Sequence, residues 1–176
     1  RSQLIMHKRI DDIEILRAIA VLLVVVHHAS DNLFSWSTPY LERFYSYFGG
    51  GSGVDLFFVI SGFVITKSLY PSLSQNQSND SFFKNAIVFW IKRAWRLLPS
   101  AWLWLGLTLV VTVLFNQSGA FGSFRAGYEG ALAAFFQVAN FRFADVFGTR
   151  EAGASFVYWS LSLEEQFYMV LPFLIF

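Results

Sequence analysis

Apolar residues fall into long runs along this chain, each broken by short polar or basic stretches. The first run, at about 13–29, contains nine uninterrupted apolar residues (Ala18 to Val26) between Arg17 and the pair His27-His28. A second follows at 54–69, a third at 100–115, and a last begins near 163 and continues to 176. The spacing and length of these runs predict membrane helices, since a span needs about 20 apolar residues. The stretch 127–143 is weaker, because Gln137, Asn140 and Arg142 interrupt it; it fits a fourth span, a re-entrant helix or an interfacial one. Between the runs, 31–53 is aromatic-rich with a glycine cluster, 71–85 (PSLSQNQSNDSFFKN) is polar and expected as a loop, and 82–100 is basic and aromatic. The fold class expected is all-α, a polytopic transmembrane helix bundle. No internal repeat is visible.

Composition sharpens this. Of 176 residues, 55% are hydrophobic, 19% aromatic and only 14% charged, against about 25% charged in globular chains. A net charge of +1 with no basic tract gives no basis for nucleic-acid binding. With no cysteine, disulfide frameworks, thiolate zinc sites and cysteine nucleophiles are excluded. His7, His27 and His28 form no metal-ligand pattern, so no metal is expected. Lys67, Lys84, Lys92, Arg93 and Arg96 flank one side of the second and third runs, whereas the loop before them carries only Arg43. The positive-inside rule then puts the N-terminus and 67–97 in the cytoplasm. Residues 1–16 read as a juxtamembrane helix start, with Met6 fitting a native start. The final run stops after PFLIF with no flanking charge, so the chain is expected to be the N-terminal part of a longer protein, inactive by itself.

Four polar clusters stand against this background. Arg17 and His28, 11 positions apart, differ by about 20° around a helix and lie about 16 Å apart along it. Intramembrane ionisable groups are functional candidates, although Arg17 could also snorkel to an interface. Asp55 fits a helix cap or a functional carboxylate. Arg93 and Arg96, at i and i+3, fit a positive-inside anchor or a phosphate clamp, because guanidinium forks match phosphate oxygens. Glu164 and Glu165 sit in WSLSLEEQFY, where first-turn carboxylates suit the helix dipole. The glycine run 49–53 lacks the Lys-Ser/Thr ending of a phosphate loop and reads as a hinge that lets the second helix enter beside the first.

Together, Arg17 with His28, GSGVDLFFVISGF (51–63), RAWR (93–96) and YWSLSLEEQFYMVLP (158–172) resemble the integral-membrane acyltransferase 3 family, in that family's order. VANFRFADVFG is similar to the stretch upstream of the WSL motif in its polysaccharide O-acyltransferase branch. The resemblance covers about 10–176 and implies a single membrane domain of roughly ten spans, of which about four to five are here. Position 27 is His where an aromatic or aliphatic residue is commoner.

The resemblance implies transfer of an acyl group, usually acetyl, from acyl-CoA to a hydroxyl of a cell-surface polysaccharide such as lipopolysaccharide or peptidoglycan. It implies His28 as general base, a task suited to imidazole with its unperturbed pKa of about 6.5. Arg17 would hold donor phosphate or stabilise developing charge, and Glu164 would orient His28 or the acceptor. Arg93 and Arg96 would grip the CoA phosphates. Asp55, Ser61 and Trp159 would support the bundle. Acyl-CoA enters as donor substrate, with no bound cofactor. The expected partners are acyl-CoA, a carbohydrate acceptor and the lipid bilayer, and the expected location is the bacterial inner membrane. A glycan flippase or transporter is the alternative, since polar intramembrane residues also serve substrate paths.

Overall fold

The computed structural model describes residues 11–30, 38–48, 50–74 and 79–175. The juxtamembrane segment 1–10, the loop stretch 31–37, Gly49, 75–78 and Phe176 lie outside the described residues. All regular elements among those described are helical, so the all-α class holds. The chain divides into two compact units, 1–67 and 68–176.

The first unit holds α1 (Asp11–Ser30), α2 (Pro39–Phe48) and α3 (Gly50–Ser74) as far as Lys67. At 20 residues α1 is about 30 Å long, the thickness of a hydrocarbon core. His27 and His28 in its last turn complement the helix dipole. Its contact with α3 is made through glycine. A Cβ built on Gly53 would stand 2.8 Å from the Ala20 carbonyl oxygen, 2.9 Å from Val24 Cγ2 and 3.1 Å from Leu23 Cβ. The two backbones can meet only because no side chain intervenes, the device membrane helices use in place of a hydrophobic drive. The glycine run expected as a hinge is therefore helical from Gly50 onward, and brings α3 beside α1 by lacking side chains rather than by bending. The aromatic stretch before it carries a helix too, the ten-residue α2.

The second unit is built on α4 (Asn79–Leu114), 36 residues and about 54 Å long. The basic aromatic segment and the 100–115 run, separate in the sequence reading, are one continuous helix through Pro99. The polar stretch 71–85 is mostly helical as well: α3 continues through Pro71 to Ser74, and α4 starts at Asn79. Among the described residues, two helical stretches are long and apolar enough to cross a membrane, Gly50–Pro71 and Asp80–Leu114.

The weak stretch 127–143 resolves into two short helices, α5 (Phe124–Phe135) and α6 (Ala139–Val146). At about 18 and 12 Å, neither crosses a core of about 30 Å. Helix α5 runs antiparallel down α4: Gly127 lies beside Thr112, Ala131 and Ala134 pack on Leu105, and the Phe135 ring stacks on Trp102 at 4.8 Å. The chain reverses at Gln137, whose φ of 57° is left-handed and ends the helix. Helix α6 then climbs back. A 3₁₀ turn (Ala154–Val157) leads into α7 (Tyr158–Ile175), which continues down α4 from Ala101, where Tyr158 Oη donates to the carbonyl at 3.2 Å, to Trp90.

Candidate active site

In the first unit the polar stripe lies on α1. Arg17 is half-buried, with one guanidinium nitrogen 3.9 Å from Glu14 and its Nε buried without a hydrogen-bond partner. His28 is exposed, whereas His27 turns toward α3: a Cβ on Gly50 would lie 2.5 Å from the His27 ring. The two imidazoles meet edge-on at 5.5 Å between centroids. Helical geometry explains the division. Residues 20, 23, 24 and 27 share the face that α3 covers, and Arg17 and His28 flank it on one side. Asp55 lies exposed in the second turn of α3, so it is not that helix's N-cap, and Ser61 is buried further along the same helix.

In the second unit, α4 and α7 bring Arg93, Glu164 and Tyr168 together. The Arg93 guanidinium lies 5.3 Å from the centroid of the Tyr168 ring and 5.8 Å from that of Phe89, within cation–π range. Tyr168 Oη donates to Glu164 Oε1, one helical turn back, and both residues are buried. Proline sets the next contact. Pro172 has no N–H, so the Tyr168 carbonyl four residues earlier loses its helical donor. The Trp90 indole supplies one instead, Nε1 donating to that carbonyl at 3.0 Å.

Residues on the adjoining face of α7 hold the α5–α6 reversal. Ser162 Oγ accepts from the Ala139 N–H at 3.2 Å. Gln166 and Asn140 exchange amide hydrogen bonds of 2.9 and 3.0 Å, and Gln166 Nε2 also donates to the Gln137 carbonyl at 2.9 Å. Between these two faces sits Glu165, whose Oε1 is buried with no hydrogen-bond partner. Trp159 stacks on Phe143 at 6.1 Å between centroids, and so packs α7 against α6.

Within the second unit the expected residues differ in exposure. Arg93 lies over the Tyr168 ring of α7, whereas Arg96, one turn on, is exposed. Glu164 is already engaged by a tyrosine; the carboxylate with open acceptor capacity is Glu165. Tyr168, Trp90 and Phe89 were missed by sequence reasoning, although the i, i+4 spacings Glu164–Tyr168 and Phe89–Arg93 and the position of Pro172 could have pointed to them. Replacing Trp90 by Phe should leave the Tyr168 carbonyl without a donor and cost about 1–3 kcal/mol. Thermal unfolding in detergent checks this; a Trp90→Phe protein as stable as wild type would mean another group fills the vacancy.

The family of the Acyltransferase domain matches residues 10–176. The chain is 34% identical over 173 residues to YrhL of Bacillus subtilis, provisionally named a peptidoglycan O-acetyltransferase, covering 94% of this chain and 24% of that protein. It is 33% identical to the peptidoglycan O-acetyltransferase OatA of Listeria monocytogenes, with the same coverage, and 31% identical to the O-acetyltransferase OatA of Staphylococcus aureus over 164 residues, 91% of this chain and 24% of that protein. The chain thus spans about a quarter of the length of these relatives. No solved structure matches it. A family match covering nearly the whole chain, with Arg17, His28, Arg93 and Glu164 all inside it, means that this chain belongs to the Acyltransferase domain family.

Proposed function

We propose that the protein is a membrane O-acyltransferase that moves an acetyl group from acetyl-CoA to a hydroxyl of an exported glycan. The observation that carries this reading is the pairing of Arg17 and His28 on one face of α1, flanking the seam closed by Gly53. A sugar hydroxyl is a weak nucleophile near neutral pH. His28 takes its proton as the oxygen attacks the thioester carbonyl, the carbon–sulfur bond breaks, and CoA leaves as the thiolate. Arg17, with a buried Nε unfilled and about 16 Å along α1 from His28, holds a donor phosphate. The names of the relatives favour peptidoglycan as acceptor over lipopolysaccharide. The positive-inside pattern supports a bacterial inner-membrane protein with a cytoplasmic N-terminus and the basic half of α4 on the side where CoA is found.

On this reading Arg93 and Arg96 act on the donor. In full-length protein, Arg93→Ala and Arg96→Ala should each raise the apparent KM for acetyl-CoA more than that for the glycan. The same assay tests the function: acetyl-CoA turnover that depends on added glycan supports transfer, and its absence would support a flippase. An unchanged donor KM in both variants would reduce the arginines to topology anchors.

A further inference from the structure

Among the described helices, α2 separates its apolar from its polar residues most sharply. At 100° per residue Tyr40, Phe44 and Tyr47 fall within about 60° of one another, and Glu42 and Ser46 lie at least about 100° away. All three rings are exposed, Tyr40 to 88% and Tyr47 to 69%. Glu42 and Arg43 are the only charges on α2, and they cancel. Pro39 at the first position has the fixed φ of a helix start, and the Glu42 N–H donates to the Thr38 carbonyl at 3.0 Å. Ten residues nevertheless make only about 15 Å, half of a hydrocarbon core, so α2 does not span one. A helix shorter than about 12–15 residues is also marginal in water, so α2 needs something for its aromatic face to meet.

Its position in the first unit narrows what that is. The stretch of α3 long and apolar enough to cross a membrane begins at Gly50, and only Gly49 separates it from α2. Helix α2 is therefore joined to α3 where the apolar layer ends. Ser52 Oγ donates to the Tyr47 carbonyl at 3.3 Å, which ties the end of α2 to the first turn of α3. That same turn meets α1, because the His27 ring lies against Gly50. The end of α2, the start of α3 and the last turn of α1, with His28, thus share one membrane surface. On the positive-inside reading it is the outer one.

The chemistry of the face favours lipid. A tyrosine carries an apolar ring with a polar tip, and the residue is enriched where acyl chains give way to headgroups. Contacts between helices in a membrane rely instead on small residues, as at Gly53. With no net charge, α2 has no need of an anionic headgroup.

We propose that α2 is an interfacial anchor: it lies in the plane of the membrane surface with Tyr40, Phe44 and Tyr47 set among the lipids, and so holds the His27–His28 end of α1 at that level. The anchor does not depend on the acyl-transfer reading. The 176 residues contain no cysteine, so single cysteines can be introduced at 28, 40, 42, 44, 46 and 47 and spin-labelled. The test uses full-length protein, with any cysteine outside these residues replaced by serine, in phosphatidylcholine vesicles with and without phosphatidylglycerol. Collision rates with oxygen and with a water-soluble nickel complex read the depth of each label. Labels at 40, 44 and 47 should lie about 5–10 Å below the phosphates in both lipid mixtures, with those at 42 and 46 in water. The label at 28 should lie no deeper than about 10 Å. Tyr40→Asp/Tyr47→Asp should lift the label at 44 into water, whereas Tyr40→Trp/Tyr47→Trp should leave it in place. Free access of the nickel complex to 40, 44 and 47 overturns the proposal, and so does a label at 44 that the aspartates do not move. Low collision rates with both reagents at those positions overturn it equally, because another part of the protein or a second copy would then cover the face. A label at 28 in the middle of the core would break the link to α1 and overturn the anchoring role.

Discussion

Full-length protein carrying His28→Ala is expected to lose about 10²–10⁴-fold in acyl transfer, the range contributed by a positioned general base, with no fall in membrane abundance. The second half of that expectation comes from the structure. His28 is exposed at the end of α1, so truncating it opens no void in the first unit. His27→Ala differs in kind. The His27 ring lies against Gly50, and its loss should loosen the α1–α3 contact while reducing transfer less. Transfer rates read alongside thermal stability separate the two. If His27→Ala abolished transfer and His28→Ala spared it, the base would be His27 and the stripe with Arg17 would lose its meaning.

The second large effect is expected at a residue with no chemistry of its own. Gly53→Ala places a Cβ 2.8 Å from the Ala20 carbonyl oxygen and close to Val24 and Leu23. Backbone cannot swing aside as a side-chain tip can, so α3 must retreat from α1, at the overpacking cost of about 1–3 kcal/mol. Gly53→Val, with two further methyl groups, should prevent the contact altogether. Gly51→Ala is the matched control, because nothing lies within 4 Å of the Cβ it would add. Helix propensity favours alanine at both positions, so a loss at position 53 alone isolates the steric term. Equal melting temperatures for Gly51→Ala and Gly53→Ala would show that the helices do not meet at this glycine. Because α1 carries Arg17 and His28, the Gly53 variants should lose transfer along with stability.

Much of this arrangement was legible in the chain itself. The apolar runs announced helices, and the 11-residue spacing of Arg17 and His28 fixed their shared face before any neighbour was known. Other features depended on contacts that sequence does not display. Pro99 and the basic residues around it looked like the end of one element, yet α4 passes straight through them. Gln137 gave no sign of adopting a left-handed conformation, which in a non-glycine residue is uncommon, and that single residue turns a plausible span into a hairpin. The pairing of Trp90 with the carbonyl freed by Pro172 joins residues on two helices. The resemblance singled out Glu164 over Glu165, but only packing shows that Glu164 is satisfied by Tyr168 while Glu165 keeps an orphaned oxygen.

The most direct measurement follows the acetyl group itself. Full-length protein in sealed, oriented vesicles is given acetyl-CoA carrying a labelled acetyl group on the face bearing the basic half of α4, with peptidoglycan glycan on the other. Label should appear on the glycan as an alkali-labile ester, at a rate that falls with His28→Ala. Label that stays on CoA or free acetate, or unacetylated glycan crossing the membrane unchanged, would contradict the account.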